Sequence, residues 1–165
     1  MKLLAYEVDK RSFLGVLNED ETWVYPVSAA GMEYRSMKDL IREAGPSEME
    51  MLDYISKKMP GDVTGAASVE EIKVVSPIAE PDQDIICLGI NYMDHAKESA
   101  RFKKEEFSKP EKAIYFSKRV NRTNDPDGII PAHKNLTNQL DYEAELAVII
   151  KKDAKDVKPG EVKDY

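Results

Sequence analysis

Over its first third the chain alternates short apolar runs with charged breaks. Leu3 to Val8, Ser12 to Leu17 and Thr22 to Val27 are β-prone, and Asp9-Lys10-Arg11 and Asn18-Glu19-Asp20-Glu21 separate them. This pattern predicts a strand meander. Ser36 then stands where a helix N-cap belongs, ahead of Met37, Leu40 and Ile41 at helical spacing, and Gly45-Pro46 closes that helix. Ser47 followed three residues later by Glu50 fits a capping box. Met49, Leu52, Ile55 and Met59 repeat at helical spacing up to Pro60-Gly61, and the methionines read as core filling. Ile72 to Val75 predicts a closing strand. No catalytic constellation is visible in this region.

Ser76-Pro77-Ile78-Ala79-Glu80-Pro81-Asp82 carries two prolines and no periodicity, and reads as a linker. Beyond it, Asp84 to Ile90 is a nearly continuous apolar run ending near Gly89, the pattern of a buried strand. Asn91 is a candidate N-cap for a helix from Tyr92 to about Arg101. Residues 105–111 are charged and end near Pro110, as a surface loop or lid would. Ala113 to Phe116 predicts a further strand, and Asn124-Asp125-Pro126-Asp127-Gly128 a turn. From Leu140 to Ile150 the pattern alternates again. As a strand, it would place Ala144, Leu146, Val148 and Ile150 on one face and Asp141, Glu143 and Glu145 on the other. The division predicted is an α+β chain with a small accessory domain over 1–75, a linker over 76–83 and a second domain over 84–165.

Composition narrows the class. The 165 residues are 42% hydrophobic and 33% charged, a globular composition with material for a core. A formal net charge of -7 argues against nucleic-acid and anionic-membrane surfaces as partners. No apolar run approaches a membrane span, and the N-terminus turns charged too early for a signal peptide. One cysteine, Cys87, leaves no internal disulfide or cysteine zinc site. A cytoplasmic protein is expected.

Two clusters carry candidate chemistry. His95 and Glu98 lie at i and i+3 on the predicted helix, close enough to touch. A carboxylate beside an imidazole fixes its tautomer and raises its basicity, as a general base requires, but a solvated ion pair has the same spacing. Asp141, Glu143 and Glu145 repel one another on an otherwise apolar strand, so either water or a cation faces them. Clustered hard oxygen ligands suit Mg²⁺ or Mn²⁺. Lys118 closes the strand before it with a positive charge, and His133 falls in polar loop sequence.

From Ile86 onward the sequence resembles the fumarylacetoacetate hydrolase family. The resemblance rests on ordered motifs: Cys87-x-Gly89-x-Asn91-Tyr92-x-x-His95-x-x-Glu98, Pro110 before Phe116-x-Lys118, Ile130-Pro131, and Asp141-Tyr142-Glu143-x-Glu145 leading into Leu146 to Ile150. It implies that residues 84–165 are the first part of a mainly-β catalytic domain, with 1–75 as the family's small accessory domain. Glu143 and Glu145 become ligands of a divalent metal, Mg²⁺ or Mn²⁺. His95 and Glu98 become the dyad that activates water or shuttles a proton. Lys118 becomes a catalytic and substrate-orienting residue, and Asn91 and Tyr92 line the substrate side. The implied activity is hydrolysis, isomerisation or decarboxylation of a 2-oxo or 2,4-diketo acid through a metal-stabilised enolate, in a homodimer. The family's third metal carboxylate lies downstream, in a Gly-Tyr…Asp segment, and the chain ends at Tyr165 about where that segment begins. Asp153, Asp156 and Asp164 stand in the wrong context to replace it. The chain therefore reads as truncated, and the alternative is an incomplete, non-catalytic piece that needs its missing half or a partner chain.

Overall fold

The structure, a computed structural model, describes residues 1–103 and 112–165. It is α+β, with antiparallel strands and a few helices. Two compact units are present. The first comprises Met1–Ile78 and Asn124–Tyr165, the second Ala79–Thr123.

The first unit is built on a five-stranded antiparallel sheet. Its strands are β1 (Leu3–Val8), β2 (Arg11–Leu17), β3 (Trp23–Pro26), β4 (Ala67–Ser68) and β5 (Lys73–Val75), in the order β4-β3-β2-β1-β5. β1 and β2 pair in full register from Leu3 opposite Val16 to Val8 opposite Arg11. The two-residue turn between them, Asp9-Lys10, has positive φ at both positions, as a hairpin turn matched to the strand twist requires. Asn18 holds the next turn, its Oδ1 accepting from the Thr22 and Trp23 amides.

The meander curls. In a flat sheet β4 and β5 would stand about 19 Å apart, four strand spacings. The link from Ser68 to Lys73 covers five Cα steps, roughly 17–18 Å at full stretch. Part of it is a 3₁₀ turn at Val69–Glu71, which shortens it further. The two edges must therefore bend toward each other, and each face of the sheet acquires its own apolar cluster. Inside the curl Leu4, Tyr6 and Val24 are buried, with Val8, Leu17, Ala67, Ile72 and Val74 against them. On the other face Val16, Tyr25 and Val27 pack with Met37, Leu40, Ala44, Leu52, Ile55 and Val63. The period-two pattern of β1 to β3 thus buries both sets of side chains.

Two helices supply the second layer. In α1 (Met37–Glu43) the Ser36 hydroxyl accepts from the Asp39 amide, the cap predicted from sequence. In α2 (Pro46–Ser56) the start differs from the predicted Ser47 cap. Gly45 is the N-cap, Pro46 takes the first helical position, and the Glu48 carboxylate accepts from the Gly45 amide. Proline needs no donor there, which is why Gly-Pro opens α2 directly after α1 ends. Leu52 and Ile55 are buried, but Met59 lies past the helix end and is 71% exposed, so it fills no core.

Residues 124–165 are mostly irregular and exposed. Their turn at Asp125 is fastened to β5, with Oδ1 accepting from the Ser76 amide at 3.0 Å and Oδ2 from Lys73 Nζ at 3.2 Å. The strand predicted over 140–150 is absent: these residues form no regular element and are exposed throughout. Alternation fits side chains to a face, but a strand also needs a paired backbone, and no described strand pairs with this segment.

The second unit pairs β6 (Ile85–Gly89) with β7 (Ile114–Lys118), antiparallel, and carries α3 (Met93–Lys103). β6 is not the buried strand its composition predicts. Ile85 and Ile86 are exposed, since a two-stranded sheet with one short helix covers little of either face.

Candidate active site

The β6–α3 turn delivers the first candidate group. Gly89 ends the strand, and Ile90 follows with φ 56°, a left-handed conformation that a β-branched residue adopts only at a cost. That residue turns the chain into Asn91 and Tyr92, both exposed. The Tyr92 carbonyl accepts from the Ala96 amide at 3.0 Å, so the N-cap position falls on Tyr92 and not on Asn91. Ala96, in the first turn of α3, is buried. His95 beside it is half-buried, and Glu98 is exposed one turn on. Their spacing places the two side chains on one helix face, with Cβ atoms about 5–6 Å apart. Asp94 pairs with Lys97 at 3.8 Å on the exposed side, a contact of little energetic value.

Lys118 lies at the other end of the hairpin. It is opposite Ile85, whereas Gly89, which leads to α3, is opposite Ile114. Four residue steps separate these pairs, roughly 13 Å along the strand. Its ammonium sits 5.9 Å from the centre of the Phe116 ring, so the Phe116-x-Lys118 motif is also a cation–π contact. The predicted lid over 105–111, with Pro110, lies outside the described residues.

Glu143 and Glu145 belong to the first unit, in the exposed 140–150 segment. As paired carboxylates they have the chemistry for Mg²⁺ or Mn²⁺. Among the described residues, however, no group of three or more His, Cys, Asp or Glu side chains could hold a metal ion. The donor types fit a hard cation, but the set is not assembled by these residues alone. His133, exposed, joins no such group either.

Sequence reasoning passed over Ile90 because isoleucine is a poor candidate for a left-handed turn. Gly89 and Asn91 on either side are the residues that sequence reasoning would choose for such a reversal, so nothing in the sequence pointed to Ile90.

Strand β6 leads into a helix that carries His-x-x-Glu, and a Glu-x-Glu segment follows later in the chain, the arrangement of motifs that defines one class of enzyme. The chain belongs to the fumarylacetoacetate hydrolase family: residues 84–165 match its model, described as fumarylacetoacetate (FAA) hydrolase C-terminal. Oxaloacetate tautomerase YisK of Bacillus subtilis (strain 168) is 31% identical over 175 residues, covering 100% of this chain and 56% of that protein. An uncharacterised protein of Staphylococcus epidermidis is 28% identical and one of Staphylococcus aureus (strain USA300) 27%, with the same coverage. The chain thus spans about half the length of the curated relatives it matches. Among the described residues no helix is long and apolar enough to cross a membrane.

Proposed function

We propose that the whole protein is a divalent-metal-dependent enzyme of 2-oxo or 2,4-diketo acids, and that its reaction is the keto–enol isomerisation of a 2-oxo acid. The observation that carries this reading is the similarity, over all of this chain and 56% of the relative, to a protein named oxaloacetate tautomerase, within a family shared over 84–165. Isomerisation needs only that one proton leave the carbon beside the carbonyl and one reach the oxygen. His95 suits that transfer, being half-buried on a helix face it shares with Glu98. Glu98 orients the imidazole and fixes its tautomer. Asn91 and Tyr92 contact the substrate at the start of α3, and Lys118 takes its carboxylate. The cation, Mg²⁺ or Mn²⁺, stabilises negative charge on substrate oxygens when bound. Hydrolysis of a carbon–carbon bond would use the same residues with water as the nucleophile.

The same reading places an accessory domain over 1–75, a linker over 76–83 and the start of the catalytic domain from residue 84. It makes the protein a cytoplasmic homodimer with neither nucleic acid nor membrane as partner.

A second reading is favoured by the donor set, which the described residues do not assemble, and by the exposed 140–150 segment, which joins no described sheet. In it, residues 1–165 alone are non-catalytic and need the part of the protein that the longer relatives possess, on the same or another chain. One experiment tests both. Mg²⁺ titration by calorimetry and loss of enol ultraviolet absorbance with oxaloacetate are measured on the complete protein and on residues 1–165. Metal-dependent turnover by the complete protein alone supports both readings. Turnover by 1–165 removes the second, and no metal-dependent turnover in either removes the first.

A further inference from the structure

Lys151 stands directly after the segment that carries Glu143 and Glu145, and its side chain makes a contact that the metal and proton chemistry does not use. Nζ donates to the Ala44 carbonyl at 2.7 Å, across 107 residues of sequence. Ala44 is the buried C-cap of α1, where the last carbonyls of a helix have no intrahelical donor. Local donors are short at this corner. Pro46 has no N–H, and the Gly45 N–H is taken by the Glu48 carboxylate. A buried carbonyl left unpaired is costly, so the corner between α1 and α2 has a need that Lys151 meets.

The same residue is anchored a second way. Its amide donates to the Tyr165 carbonyl at 2.6 Å, and the Lys152 ammonium lies 4.4 Å from the centre of the Tyr165 ring. These contacts join the two ends of 151–165, with the 3₁₀ turn Pro159–Asp164 between them. The upstream end of the long irregular region is held separately, by Asp125 on β5.

We propose that Lys151 is a positioning residue, whose ammonium on the Ala44 carbonyl fixes the end of the Glu143–Glu145 segment to the α1–α2 corner of the N-terminal sheet-and-helix layer. What this tether serves rests on the reading of Glu143 and Glu145 as metal ligands. The tether itself does not, and its test needs no metal.

The experiment uses the full chain with Cys87→Ser, carrying spin labels on Ser47→Cys and Ile149→Cys, both exposed. The label-to-label distance distribution is measured with Lys151 intact, with Lys151→Ala and with Lys151→Arg, alongside thermal unfolding of each. Lys151→Ala is expected to broaden the distribution by roughly 10 Å, the wander of a few freed residues, and Lys151→Arg to restore it. An unchanged width in Lys151→Ala overturns the proposal. So does broadening that Lys151→Arg fails to reverse, or broadening accompanied by unfolding of the sheet. Loss of Mg²⁺ binding in the separate titration leaves these outcomes untouched, so the two ideas fail independently.

Discussion

The Tyr25 hydroxyl donates to the Lys58 carbonyl at 2.8 Å, tying a fully buried strand residue to the backbone just past α2. The ring packs in the cluster between sheet and helices, and its hydroxyl answers a carbonyl at a helix end. Tyr25→Phe keeps the packing and removes the donor. It is expected to lower stability by about 1–2 kcal/mol, read as a reduced urea midpoint with an unchanged slope.

Burial also raises the ionisation of Tyr25 above the usual phenol value, with Asp20 and Asp62 adding to the effect, and burial does the same for Tyr6. For both, the folded protein holds its proton more tightly than the unfolded chain. The stabilisation is then complete below the unfolded value of 10.0 and declines as pH rises past it. The urea midpoint is expected to be flat with respect to these two groups up to about pH 9 and to fall above pH 10. In Tyr25→Phe the fall should be shallower.

Gly15 is where β2 allows the curl to close. A Cβ there would overlap the Val24 side chain and come within 2.8 Å of the Tyr6 ring and 3.0 Å of the Tyr25 carbonyl. Because the last is backbone, the neighbours cannot all give way. Gly15→Ala is expected to cost about 1–3 kcal/mol, measured by chemical denaturation.

Ile90 gives a prediction of the opposite sign. Replacing it by glycine removes the penalty of its left-handed backbone, so Ile90→Gly is expected to gain roughly 1 kcal/mol, offset in part by the greater freedom of the unfolded chain. Greater protection of the α3 amides in hydrogen exchange would show the gain. Unchanged or lower protection would show that the Ile90 side chain matters more than its backbone.

If the proposed roles hold, metal and proton functions separate. Glu143→Ala or Glu145→Ala in the complete protein should weaken Mg²⁺ binding by at least roughly 10–100-fold, since loss of groups merely supporting a ligand already costs that much. His95→Ala should leave metal affinity near its original value while lowering kcat about 10²–10⁴-fold. Calorimetry and steady-state rates on the same preparations distinguish the two patterns.

Much of the N-terminal half was legible because its elements are local. β1 spans the predicted Leu3–Val8, β2 and β3 lie within about a residue of their predicted ends, and Ser36 caps α1 as its spacing implied. β4 was not, since Ala67-Ser68 has no strand signal and is recruited only by pairing with Trp23 and Val24. The start of α2 was misplaced because Gly45-Pro46 both ends one helix and opens the next. The 140–150 segment shows the other limit. Its alternation is plain, yet pairing is a property of two segments, and no described strand pairs with this one. In the candidate site, His95 and Glu98 fall on one helix as their spacing predicted, whereas nothing in the sequence placed Lys118 opposite Ile85.

The sheet of the first unit ends on two very short strands, β4 with two residues and β5 with three. Little unpaired backbone is left there for another chain to dock on by strand addition. β6 and β7 differ, offering five-residue edges with Ile86, Tyr115 and Phe116 in solvent. Among the described strands, self-association should therefore begin at the β6–β7 pair rather than at the edges of the curled sheet.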